Sequence, residues 1–86
     1  MSNAEKLLRE LENECDDGIE FLDLEALLLE GGYVRRDDTK NQTRIYHKKN
    51  HAALTFSINT HYISPQRARD LLGFIRVALR KDGVIK

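Results

Sequence analysis

The segment YVRRDDTKNQTRIYHKKNHAALTFSIN (33–59) alternates apolar or β-branched residues with polar ones in three short runs. A period of two is the signature of extended chain with one face turned to a core. The runs fall at residues 33–38 (YVRRDD), 42–48 (QTRIYHK) and 52–59 (AALTFSIN). In the third, Leu54, Phe56 and Ile58 alternate with Thr55 and Ser57 and are expected to point inward. The second run leaves open whether Ile45 or Tyr46 takes the core side, because both suit a strand. DDTKN and KKNH are polar connectors of hairpin length, so the economical arrangement is an antiparallel three-stranded meander.

Helical periodicity flanks this segment on both sides. Toward the N-terminus, Ser2 and Glu5 have capping-box spacing, and Ala4, Leu8, Leu11 and Cys15 then form one apolar stripe. A helix over 3–14 is expected, ended by Asp16-Asp17-Gly18. A second helix follows in IEFLDLEALLLEGG, with Asp23 as its expected N-cap, Leu24, Leu27 and Leu28 buried, and Gly31 as a left-handed C-cap. Toward the C-terminus, Ser64 and Pro65 open a helix that closes near Gly83, with Ala68, Leu71, Leu72, Ile75 and Leu79 on one face. The expected fold class is α+β in the order α-α-β-β-β-α, a three-stranded antiparallel sheet with helices packed on one face. It forms a single domain over 1–86, an acidic helix 3–14 joined to a core 19–83.

Composition narrows the function classes. With 86 residues, 41% hydrophobic and 33% charged, the chain reads as a small globular domain for which self-association, as in a homodimer, or a bound partner is an expected source of extra stability. No apolar run approaches the ~20 residues that span a bilayer. A lone Cys15 excludes an internal disulfide, and a reducing, cytoplasmic setting is the default expectation. No metal-ligand spacing, phosphate loop or Ser/His/Asp order is present, so no metal or cofactor is expected. The zero net charge conceals a split. Residues 1–30 carry ten acids against Lys6 and Arg9, a net of −8, whereas residues 31–86 carry twelve Lys/Arg against four Asp, a net of +8. Such a division suits either an anionic partner or mutual neutralisation within the fold.

The basic residues form two sets. On the last helix Arg69, Arg76 and Arg80 share a stripe with Gly73, opposite the apolar face, a spacing suited to successive phosphates. On and around the strands lie Arg35, Arg36, Lys40, Arg44, Lys48 and Lys49, with Tyr33, Tyr46 and Tyr62 interspersed. Cations with interleaved aromatics suit RNA, whose phosphates need charge and whose bases stack on rings. Of the three histidines, His47 shares a strand face with Ile45 and Thr43, His51 lies in a turn, and His61 precedes the last helix. An imidazole titrates near neutral pH and suits proton transfer in RNA cleavage.

The order of these elements resembles the HicA-type toxins of bacterial toxin–antitoxin pairs. The resemblance runs over about residues 19–80 and rests on GIEFLDLEALLLEGGYVRRDDTKNQTRIYHKKN, LTFSIN and ISPQRARDLLGFIRVAL. It implies a double-stranded-RNA-binding-domain-like fold, an mRNA-cleaving ancestry and a HicB-like antitoxin as partner. In that family a Gly-Ser-His triplet supplies the histidine that moves protons. Anchored on Lys40 and Arg44-Ile45-Tyr46-His47, the triplet falls on Asn41, Gln42 and Thr43, and threonine does not titrate in this range. His47 is the nearest imidazole on that face, roughly 13 Å along the strand. The expectation is an RNA-binding module that lacks the family's catalytic group. The alternatives are an mRNA-cleaving toxin with His47 or His61 as a relocated base, and a purely protein-binding module. The acidic first helix is further expected to mask the basic surface.

Overall fold

The computed structural model describes residues 2–86. Its elements are α1 (Asn3–Glu14), β1 (Ile19–Glu20), α2 (Phe21–Glu30), β2 (Val34–Asp38), β3 (Thr43–His47), β4 (Leu54–Ser57), β5 (Tyr62–Ile63) and α3 (Pro65–Lys81). The α+β class and the three-stranded antiparallel meander β2-β3-β4 are as expected. Two two-residue strands are additional. Ile19 and Glu20 pair antiparallel with Ile63 and Tyr62, fastening the entry of α2 to the segment before α3.

Each helix ends where local chemistry stops it. The Ser2 hydroxyl accepts from the Glu5 N–H at 3.1 Å, which supplies one of the first-turn donors with a partner. Asp23 is not the cap of α2. The cap lies three residues earlier, at Glu20, and the Phe21 N–H is taken up by the His61 carbonyl at 2.9 Å. The left-handed residue at its end is Gly32 (φ +98°) rather than Gly31, which remains helical. Gly32 N–H donates to Leu29 O and Tyr33 N–H to Leu28 O, the two bonds of a Schellman motif. The same pair closes α3, with Gly83 (φ +75°) donating to Arg80 O and Val84 to Leu79 O.

Register fixes which side of the sheet is buried. Tyr46 pairs with Arg35 and Leu54, and Arg44 with Asp37 and Phe56, so these residues share the inner face. Tyr46 and Phe56 are buried there with Phe21, ring centroids 5.1–6.1 Å apart. Tyr46 therefore takes the core side and Ile45 the other. Val34, Arg36, Asp38, Thr43, Ile45, His47, Thr55 and Ser57 lie on the opposite face, where none of them is buried. Ala4, Leu8, Leu11 and Cys15 of the first helical stretch join Leu24, Leu27, Leu28, Leu72, Ile75 and Leu79 in the same core. The acidic helix is thus part of the domain's interior. No described helix is long and apolar enough to cross a membrane.

Candidate nucleic-acid interface

Five of the nine candidate cations are occupied within the protein. Arg35 donates through Nη1 to Glu25 at 2.8 Å and through Nε to Asp37 at 2.8 Å. The paired Asp37 carboxyl is held below its usual value and the guanidinium is held charged. Lys48 is nearly buried. Its ammonium reaches Asp82 at 3.0 Å, donates to the Gly31 carbonyl and lies over the Tyr33 ring. On α3, Arg76 holds Glu12 of α1 with two hydrogen bonds and Arg69 reaches Asp16 at 3.2 Å. Two members of the α3 arginine stripe are thereby neutralised by acids from the first seventeen residues. Arg44 is turned inward. Its guanidinium lies 4.8 Å from the centre of the Phe21 ring and donates to the Ile58 carbonyl at 2.9 Å.

The remaining four, Arg36, Lys40, Lys49 and Arg80, are exposed and form no ion pair among the described residues. Three of them belong to one region. Arg36 stands midway along the edge strand β2 on the helix-free face, while Lys40 and Lys49 lie in the turns at the two ends of that face. Those ends are separated by the five residues of β3, about 17 Å of extended chain. Asp38 is the acid on this face, and its carboxylate is engaged by the Asn41 side chain at 2.8 Å and backbone N–H at 3.2 Å. Those hydrogen bonds lower its pKa and fold the turn that carries Lys40. Gln42 (φ +53°) completes this turn and Asn50 (φ +70°) the opposite one.

The tyrosines interspersed among the cations divide between core and surface. Tyr33 and Tyr46 are buried, the first with a hydroxyl that has no partner among the described residues and the second donating to Glu25. Burial pushes the pKa of both upward, with the Glu25 hydrogen bond adding to it at Tyr46. Only Tyr62 presents its ring to solvent, at 55% exposure. Its hydroxyl donates to the Asp17 carbonyl, crossing Gly18 (φ +82°), where any Cβ would overlap the phenol.

The histidines are scattered. His47 is exposed on the helix-free face, directly across from Val34 and diagonal to Arg36, roughly 7–8 Å away. Among the described residues no carboxylate hydrogen-bonds its ring to fix its tautomer, as a dedicated base requires. His51 is committed to Asp82 at 3.0 Å. His61 lines a cleft of about 510 Å³ together with Glu20, Phe21, Leu22, Arg44, Thr60 and Tyr62. Thr43 is half-buried on the helix-free face beside Ser57. Among the described residues no three His, Cys, Asp or Glu side chains cluster as a metal site demands.

Sequence reasoning did not find the cleft, although one signal was available. Once Tyr46 is inside, Arg44 two residues earlier must also be inside, and is lost to the outer surface. Arg67, which lies 5.2 Å from the centre of the Phe56 ring, was likewise not singled out. Compared with protein-family models, with curated proteins and with solved structures, the chain matches none.

Proposed function

We propose that this chain is a HicA-like RNA-binding module whose RNA lies across the helix-free face of the sheet. The observation that carries this reading is the sorting of its cations, to which Arg80 on α3, also free of an ion pair among the described residues, is the one exception among the nine candidates. Those on or flanking that face, Arg36, Lys40 and Lys49, stay free, while Arg35, Lys48, Arg69 and Arg76 are consumed by internal ion pairs. Backbone contact of this kind holds RNA without requiring chemistry at the 2′-hydroxyl. With Thr43 at the expected histidine position and His47 lacking an orienting carboxylate, binding without cleavage fits the site best.

The test is binding of a short structured RNA at two salt concentrations, with the RNA recovered and sized afterwards. Replacing Arg36, Lys40 and Lys49 together by alanine is expected to flatten the dependence of log affinity on log salt by about 2. Arg69→Ala is expected to leave it unchanged. Intact RNA supports the binding reading, whereas cleavage abolished by His47→Ala replaces it with hydrolysis by a relocated base beside Arg36. Absence of salt-dependent binding sinks both and leaves a protein partner, such as a HicB-like antitoxin or a second copy.

A further inference from the structure

We infer that the cleft between the start of α2 and β5 receives one unstacked nucleotide of the bound RNA. This rests on the RNA reading above and adds to it a site on a different face. The cleft lies at the end of the sheet where β3 begins and β4 ends, the same end as the Lys40 turn. A strand running from Lys49 past Arg36 to Lys40 therefore runs toward the end of the sheet at which the cleft lies.

Its lining offers partners to the base plane, the base edge and the phosphate of a nucleotide. Tyr62 and Leu22 stand exposed at 55% and 69%, an apolar pair that nothing in the fold covers and that a planar base would. Arg44 provides a charge that no salt bridge holds, although Asp37 lies opposite it on β2 and Glu20 stands in the same cleft wall. Among the described residues Arg44 forms no ion pair, it rests on Phe21 and one carbonyl, and its Nε is buried without a hydrogen-bond partner. A half-buried cation left in this state favours an arriving anion more than a solvated lysine does. Glu20, Thr60 and His61 supply an acceptor carboxylate, a hydroxyl and an imidazole to the edge of a base. The single carboxylate among them suits a base edge that donates hydrogen bonds. A volume of about 510 Å³ is within the range for small-ligand sites, roughly 300–1,000 Å³.

Titration of the ¹⁵N-labelled protein with the four 5′-ribonucleoside monophosphates, and with ribose 5-phosphate as the base-free control, tests this. At least one mononucleotide is expected to shift the amides of Phe21, Leu22, His61 and Tyr62 saturably, and ribose 5-phosphate to bind about tenfold more weakly or not at all. Leu22→Glu, at a position the core does not use, is expected to weaken binding about tenfold while the amide spectrum stays folded. Tyr62→Ala is expected to do the same, as loss of a stacking platform predicts. Equal response to ribose 5-phosphate, shifts elsewhere, or no effect of Leu22→Glu overturns the cleft. The triple alanine variant at Arg36, Lys40 and Lys49 separates the two readings. If the cleft is right, that variant still binds the mononucleotide with unchanged affinity. If only the sheet reading is right, the oligonucleotide binds with its salt dependence while the mononucleotide leaves the cleft amides unmoved.

Discussion

The Tyr46 hydroxyl, Glu25 and Arg35 form a chain in which one carboxylate accepts from a buried phenol and from a guanidinium at the sheet margin. That arrangement answers a question periodicity leaves open. In Arg44-Ile45-Tyr46-His47 either alternation is a good strand, and the choice falls to a partner for the hydroxyl that lies 21 residues earlier on α2. A phenol placed inside without that partner would carry an unpaired donor, whereas isoleucine tolerates the half-exposed side. The consequence runs on to Arg44, which alternation then carries inward toward the cleft. Tyr46→Phe keeps the ring and removes the bond to an ionised carboxylate. It is expected to lower unfolding free energy by about 1–2 kcal/mol in urea titration. An unchanged midpoint would mean that burial of the ring alone fixes the inward side.

At the level of elements, the three helices and three main strands were legible because their periodicity is long and their ends carry specific residues. The β1–β5 pair was not, since two residues have no period and their pairing joins positions over forty residues apart. The same long-range contact takes up the Phe21 N–H at the start of α2. The role given to α1 changes most. A removable acidic mask should touch the domain through charge, yet Ala4, Leu8, Leu11 and Cys15 are buried. Deleting residues 1–17 would therefore remove core as well as charge. The acids still neutralise arginines, through Glu12 on Arg76 and Asp16 on Arg69, but across an interface built mainly from apolar packing. Leu8→Ala is expected to cost about 3 kcal/mol, as large-to-small changes in a packed core do. Glu12→Gln, at a pair one-third exposed on each side, should cost about 1 kcal/mol or less. Equal losses in chemical denaturation would restore an electrostatic attachment for α1.

Across the whole molecule, ion pairs join the helical layer to the sheet side at two places, Glu25 with Arg35 and Asp82 with Lys48 and His51. The most connected is Asp82, just past the end of α3. It accepts from Lys48 at 3.0 Å and is hydrogen-bonded to His51 at 3.0 Å, tying the last helix to β3 and the turn that follows it. Tyr33 lies close enough for the Asp82 charge to raise its hydroxyl's pKa. The two partners, His51 first and Lys48 second, hold the Asp82 carboxyl below the ordinary 3.8. A carboxylate depressed on folding binds fewer protons in the folded chain than in the unfolded one. Its stabilisation is therefore complete above the unfolded value and is lost as pH falls through the lower folded value. Asp37 and Asp38 are shifted the same way, by Arg35 and Asn41, so acid unfolding is expected to draw on three carboxylates at two places, the end of β2 and the end of α3. Asp82→Asn isolates one share. In urea unfolding the variant should be less stable than the parent at pH 7, and the gap should close as pH descends below about 4. A gap of the same size at pH 7 and pH 3 would show that the Asp82 side chain acts through neutral hydrogen bonds, and that the helix-to-sheet tie does not depend on its charge.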